Sequence, residues 1–389
     1  MRICYLYGGG VYRTDGGIGF LRNLCSQLKK FGHDCFAILG GNEEILLEGT
    51  VDREIHVVGD WSIGQSFIQR RNRSHLREFI KDMNPNVVHI IHPPAYYGPK
   101  GQIHALPVIW RDFPVVVTFW GFNIGKGSPW LSRALVLLLL WGSQAVASHD
   151  FKLMKQARQM CLGLRLVQFL PVGSNIMPSP TLFQISRQDL RQRFHLDLKG
   201  HYIGYFGGFD RSMGVEDLFQ AARRLREKGH SRLRLVLIGW QRHLQNPRFI
   251  AMQQAIEREQ LKDVIIMTPF APDEEVAALL RAVDLVVLPF RQNSMGRTSL
   301  MATLCAGAPA IVASPFNDLG PLNGAVLPVP PYSPKILAEK IEGLLNDSHR
   351  TEELAWAGRR AWEYNFSWPV IAKKHLDLYQ TIQRNDVAQ

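Results

Sequence analysis

The sequence predicts an α/β fold built from two doubly wound parallel domains. Short β-leaning apolar runs alternate with longer stretches of helical period through most of the chain, which is the pattern of repeated strand and helix units. That pattern opens twice in the same way, at RICYLY and again at HYIGYF, each time followed by a glycine turn. With 389 residues, 46% of them hydrophobic, the chain is long for one domain and rich enough for two cores.

Residues 2–7 form the first predicted strand. Ile18, Leu21, Leu24, Cys25 and Leu28 then recur at helical spacing, so Gly16-Gly17 falls at a helix N-terminus. The turn lacks the G-x-G-x-x-G spacing of a dinucleotide site, and its glycines serve either the close approach of a ligand or a tight turn alone. Further strands are expected at 35–39, 85–91, 114–119 and 144–147. Their ends, His92, Trp120 and Ser148, are expected on one rim, because ligands of open parallel sheets sit outside the carboxyl ends of the strands. The run 134–141, ALVLLLLW, is far shorter than the roughly 20 residues that span a bilayer. It reads as a buried helix or, with Arg111, Lys126 and Arg133 nearby, as an interfacial helix on an anionic membrane.

Residues 166–172 lead into Gly173-Ser174-Asn175 and a proline-containing stretch, the best linker in the chain. The strand pattern then restarts at 201–206 and continues at 233–238, 264–267, 284–288 and 310–312. Two such units in series imply a two-lobed protein with its ligand in the cleft.

The most informative stretch is 283–316. An apolar run stops at Pro289, a polar loop follows, and an Ala/Leu-rich helix ends at Gly307-Ala308-Pro309 before the next strand. The loop closes in Gly296-Arg297-Thr298-Ser299. Gly296 allows close approach of the backbone, Arg297 offers a fixed cationic fork, and the Thr298 and Ser299 amides open the helix, a combination suited to a phosphate or diphosphate. The plainer alternative is a Thr or Ser that only caps the helix.

Lys and Arg outnumber Asp and Glu by 45 to 34, and the formal charge of +11 points to an anionic partner. The basic residues are scattered and no helix-turn-helix, zinc-ligand or RNP-like motif occurs, which argues against nucleic acid. The five cysteines form no CxxC and lie mostly in apolar contexts, so a reducing, cytoplasmic protein is expected, and the start MRICYLY does not read as a signal peptide.

In order and spacing the chain resembles the retaining glycosyltransferases of the GT-B fold, family 4, in which two Rossmann-like domains face a cleft. DGGIGFLRNLCSQLKKFGHD, NPNVVHIIHPP, PVVVTFWGFN and PVGSNI look like the landmarks of that family's first half. IGYFGGFDRSMGVEDLFQAA, LVLIG, AVDLVVLPF and CAGAPAIVAS look like its donor-binding lobe, and FSWPVIAKKHLDLYQTI resembles its closing helix. The resemblance implies an acceptor-side domain over 1–175, a donor-binding domain over 176–365 and a helix over 366–389 that crosses back to the first domain.

The chain departs from the family where two glutamates usually stand. Those positions are Ser294 and Ala302 here, and the second usually holds the ribose. A usual Arg and Lys fall at Gly208 and Met213, with Arg211 between them as a substitute. GRTSLMATLCAGAP resembles a branch with Arg and Ser in place of the glutamates. A histidine often found after the TF strand is Trp120 here.

The resemblance implies sugar transfer from a nucleotide diphosphate sugar to the hydroxyl of a glycan, lipid-linked or small-molecule acceptor, with retention and, as no D-x-D occurs, without metal or other cofactor. It assigns catalysis to Arg297 and Arg211. The donor falls to Gly16, Gly17, Gly208, Gly296, Thr298, Ser299, Ser294 and Phe270, and the acceptor or sugar side to Trp120, His92 and Asp15, with Asp15 or Asp112 to be considered as base. The expected place is the cytoplasm, with peripheral contact at the inner face of an anionic membrane. The competing reading is a catalytically degenerate protein that binds a nucleotide sugar or a partner.

Overall fold

A computed structural model describes residues 1–8, 16–39, 56–57, 70–93, 97, 102–122, 129–239, 247–292, 296–316 and 318–387. The chain divides into two units, Met1–Gly173 with Trp368–Gln389, and Ser174–Ser367.

The first unit is a seven-stranded parallel sheet. Its strands are β1 (Arg2–Tyr7), β2 (Asp34–Leu39), β3 (His56–Val57), β4 (Val87–His92), β5 (Val115–Phe119), β6 (Ala145–Ser148) and β7 (Leu166–Phe169), in the order β3-β2-β1-β4-β5-β6-β7. Tyr5 lies opposite Ala37 on one side and His89 on the other. Every residue of β4 is buried, as expected of an inner parallel strand covered on both faces.

On one face, Ile18, Leu21, Leu24 and Leu28 of the Gly16–Lys30 helix meet Trp368, Ile371 and Tyr379 of the Trp368–Val387 helix over the sheet. Gly173 makes room for that final helix, since a Cβ there would lie 2.8 Å from the Trp368 ring. On the other face, Val136, Leu139 and Leu140 of the Pro129–Gly142 helix pack on Leu6, Val88 and Val117. That helix is buried on one side only, because Leu137, Leu138 and Trp141 are exposed.

The second unit is a six-stranded parallel sheet of β8 (His201–Phe206), β9 (Leu233–Ile238), β10 (Ile265–Met267), β11 (Leu285–Leu288), β12 (Ala310–Ala313) and β13 (Leu327–Val329). Its order is β10-β9-β8-β11-β12-β13. The Val215–Glu227 and Pro334–Leu345 helices bury Leu218, Ala222, Leu337 and Ile341 in one cluster over the sheet. None of the five cysteines is in a disulfide, and all are buried. Among the described residues, no helix is long and apolar enough to cross a membrane.

Candidate functional site

In the second sheet the strand order reverses at β8, which lies between β9 and β11. A crevice opens at such a point outside the carboxyl ends of the two strands, and here it is flanked by residues 207–214 after β8 and by 289–292 and 296–297 after β11. The two loops are knitted together. The Arg291 amide donates to the Ser212 carbonyl at 3.0 Å. Gly214 has φ 65, and a Cβ there would stand 2.0 Å from the Pro289 carbonyl oxygen, so only glycine fits.

Arg297 spans this junction. Its Nη2 donates to Ser212 Oγ at 3.3 Å, its Nη1 reaches Met213 Sδ at 3.6 Å, and its guanidinium lies 5.4 Å from the centre of the Phe290 ring. The Ser212 hydroxyl in turn donates to Asp210. Burial lowers the guanidinium from its ordinary value, an effect opposed by nearby Asp210 and Tyr205. An arginine stays protonated through such a shift, so the side chain is a partly desolvated cation held in one pose.

The helix that follows, Thr298–Cys305, has Arg297 itself at its N-cap, in an extended conformation and without a side-chain cap bond. Thr298 and Ser299 are therefore not its caps. They are its first helical residues, whose amides have no carbonyl within the helix to bond, while Leu300 and Met301 already donate to the Arg297 carbonyl at 3.1 and 3.2 Å. Ser299 is buried, and its carbonyl accepts from Thr303 Oγ1 at 2.9 Å. A cationic fork and the open end of a helix dipole thus adjoin each other at the sheet's reversal point, which is how a phosphate-binding corner is made.

A second arginine, which the sequence pattern did not single out, braces the corner. Arg291 Nη2 lies 3.3 Å from both Glu216 Oε2 and Asp217 Oδ1, and its guanidinium is 4.8 Å from the Tyr332 ring centre. Asp217 Oδ2 also accepts from the Tyr332 amide at 3.1 Å. Burial raises the Asp217 carboxyl, opposed chiefly by Arg291. The available signal was Gly214 immediately before an amphipathic helix with Glu216 and Asp217 in its first turn.

The other donor-side candidates are spread out. Gly208, Arg211 and Phe270 are exposed, the last at the end of β10, and Gly296 is half-buried in the turn before Arg297. Ala302 is buried within its helix, where no carboxylate stands to meet a ribose. Ser294 and Asp15 lie outside the described residues, as do Lys126 and the side chains of Arg70, Arg71 and Arg73.

In the first sheet the order reverses at β1, between β2 and β4. Gly16 is exposed with nothing within 4 Å of a Cβ, whereas a Cβ at Gly17 would meet the Tyr7 hydroxyl at 2.1 Å, so Gly17 has a packing role at least. Trp120 is half-buried, edge-on to Phe20 at 6.1 Å and to His149 at 5.7 Å.

The expectation that His92 and Ser148 line an open rim does not hold, because both are fully buried. His92 stacks on Tyr97 at 4.8 Å and shares a 3.0 Å hydrogen bond with His104, and Ser148 Oγ donates to the Phe119 carbonyl at 3.3 Å. Burial and then His104 hold His92 well below the usual imidazole range. Asp112 does not fit a base either. It precedes β5, at the amino end of the sheet, and Arg77 and Lys81 hold its carboxyl below the ordinary value.

Two doubly wound parallel units, the second with a phosphate-type corner at its reversal point, define the GT-B class. Residues 186–361 match the family model described as "Glycosyl transferases group 1". Among curated relatives, the D-inositol 3-phosphate glycosyltransferase of Kineococcus radiotolerans is 29% identical over 169 residues, covering 41% of this chain and 38% of the relative. The capsular polysaccharide biosynthesis glycosyltransferase CapM of Staphylococcus aureus is 24% identical over 202 residues, covering 51% of each. The matches thus span about half or less of the length of these relatives. A glycosyltransferase from Rickettsia africae shares the fold, with a TM-score of 0.74 at 18% identity over 99% of both chains. So does Anabaena HepE, solved in complex with UDP, with a TM-score of 0.75 at 15% identity over 98% of this chain and 100% of that one.

Proposed function

We propose that the protein transfers a sugar from a nucleotide diphosphate sugar to an acceptor hydroxyl, with retention at the anomeric carbon and without a metal ion. The observation that carries this reading is the placement of Arg297, fixed by Ser212, Met213 and Phe290 beside the Thr298 and Ser299 amides. As the glycosidic bond breaks, negative charge grows on the leaving diphosphate, and preorganised positive groups stabilise it more in the transition state than before it. Arg297 meets the diphosphate together with the helix amides, Arg211 approaches from the exposed side of the same loop, and Phe270 offers a face to the base. The acceptor proton passes to a diphosphate oxygen, which accounts for the lack of an evident carboxylate base among the described residues. Metal independence rests on the sequence, which contains no D-x-D. HepE binding UDP is in keeping with a uridine nucleotide as donor carrier.

The test is a panel of nucleotide sugars. A true donor at 100 times its Kd stabilises the fold by about 2.7 kcal/mol and raises the melting temperature. With an acceptor present, free nucleoside diphosphate accumulates, the product keeps the donor's anomeric configuration by NMR, and a chelator leaves the rate unchanged. A panel in which no nucleotide sugar shifts the melting temperature overturns the reading. Ala302, an apolar residue at the family's ribose-binding position, favours the alternative of a binding protein without turnover. That alternative gives a thermal shift with the donor and no release of diphosphate with any acceptor.

A further inference from the structure

The first unit carries an apolar face that its own core does not use. The Pro129–Gly142 helix is apolar nearly all round, yet among its described side chains only Val136, Leu139 and Leu140 enter the core cluster, with Leu135 packed against it. Trp130, Leu137 and Trp141 recur at i, i+7 and i+11, which puts them on one stripe along the opposite side, with Leu138 flanking it and Trp130 71% exposed. A helix with two apolar faces suits burial on both sides or an apolar medium on one.

The face extends beyond the helix. Val108 and Ile109 of the neighbouring Leu106–Ile109 helix are exposed, and Val108 lies against Gly142. At the other flank, Arg165 Nη2 donates to the Trp141 carbonyl and brings exposed Leu164 alongside. Leu162, two residues away, is 73% exposed at φ 52, a backbone position that disfavours leucine, so an apolar side chain stands in solvent where glycine or asparagine would cost less.

The segment that carries most of this face, residues 113–188, is charged almost entirely with one sign. Asp150 is the sole carboxylate between Asp112 and Asp189, and it is buried, with its oxygen capping the Phe151–Met160 helix. Asp112 is itself held by Arg77 and Lys81. Arg133, three residues after Trp130, and Arg111, two after Ile109, are both exposed.

We propose that this face, centred on Trp130, Leu137 and Trp141, is a docking surface for an anionic lipid bilayer. Tryptophans at both ends of a short apolar stripe suit the headgroup boundary, where the indole ring is buried and its N–H stays wet. At about 1.5 Å per residue the helix is roughly 21 Å long, so it lies in the interface and does not span it. Arg111 and Arg133 supply the attraction to anionic headgroups, and the one carboxylate between Asp112 and Asp189 is buried and adds little repulsion to oppose it. A second copy of the chain would bring the same positive charges together, which disfavours that occupant.

The test uses the full chain and sedimentation with vesicles of phosphatidylglycerol and phosphatidylcholine in equal parts, against vesicles of phosphatidylcholine alone. The chain is expected to sediment with the first and to stay largely in the supernatant with the second. The triple variant Trp130→Ser, Leu137→Gln, Trp141→Ser is expected to partition at least about tenfold less, because binding scales with the apolar area inserted. Arg111→Gln and Arg133→Gln are each expected to weaken binding about fivefold at low salt. All these positions are exposed, so the melting temperature in buffer stays within a degree or two and reports that the variants are folded. Three results overturn the proposal: recovery of the chain in the supernatant with both vesicles, equal sedimentation of the triple variant and the parent, or a dimer by light scattering that the triple variant dissolves. No nucleotide enters the experiment, so its outcome is independent of the transferase reading.

Discussion

The two units share one topology and differ in what stands where the strand order reverses. In the second, the corner is built from charge. Arg297 is pinned by Ser212 and Met213, and Arg291 is pinned by Glu216 and Asp217, around a helix end with open amides. In the first, the polar groups beside the central strands are imidazoles and hydroxyls turned inward. His89 bonds Tyr379 at 2.5 Å and Thr118 at 2.7 Å, Tyr5 bonds Tyr379 at 3.1 Å, and His375 lies 5.7 Å from His89, all of them buried. The same sheet order therefore fixes where a ligand can sit without fixing what greets it. In one unit the charged residues brace two loops at the reversal point, and in the other the polar residues tie the final helix to the core.

The comparison can be broken most severely at Gly214. Gly214→Ala places a methyl on the Pro289 carbonyl in a left-handed backbone position, at an expected cost on the order of 4 kcal/mol, with loss of nucleotide binding. Urea unfolding followed in both units measures it, and the loss should fall on Ser174–Ser367.

The next largest effect is a pH dependence confined to the first unit. Burial holds His375 down to about 4, from 6.5, and its Nε2 has no hydrogen-bond partner among the described residues. The unfolded chain takes up a proton near the ordinary value and the folded one does not, so stability is full above about pH 6.5 and falls as the pH drops toward about 4. The loss from this group is on the order of 3 kcal/mol, and His89, held well below its ordinary value by burial and then by His375, adds to it. His375→Leu should flatten the slope between pH 7 and 5, and an unchanged slope would remove His375 as its source.

Arg297→Ala sharpens the contrast from the other side. Loss of a charge-assisted contact of this kind costs about 1.5 to 3 kcal/mol, so nucleoside diphosphate should bind at least tenfold more weakly by titration calorimetry, while the first unit melts unchanged. The smallest effects separate two adjacent glycines. Gly17→Ala collides with the Tyr7 hydroxyl and should cost about 2 kcal/mol, whereas Gly16→Ala meets nothing within 4 Å and should change stability by less than about 0.5 kcal/mol. Equal effects in a thermal melt would contradict the packing described at Gly17.

Most strands were legible because inner parallel strands are continuous apolar runs, and β1, β8 and β9 coincide with the runs that mark them. Two edge strands were not. His56–Val57 is two residues long, and Leu327–Val329 contains Pro328, which reads against a strand and is tolerated only at an edge. At the site, the Gly296 to Ser299 loop was legible from local chemistry. Arg291, Gly214 and Tyr332 were not, because their roles arise from contacts between loops 74 or more residues apart, and His92 was misplaced because a strand end does not reveal which face its last side chain takes.

The final helix has a consequence for how the molecule comes into being. Ser174–Ser367 is complete in itself, with all six of its strands, before Trp368 is made, whereas the face of the first sheet that receives Trp368, Ile371 and Tyr379 stays bare until those residues leave the ribosome. The unit that is begun first is finished last. From the completion of its last strand at Phe169 until Trp368 and the residues after it emerge, the nascent chain holds a half-covered apolar sheet, and a chaperone would find it in that interval.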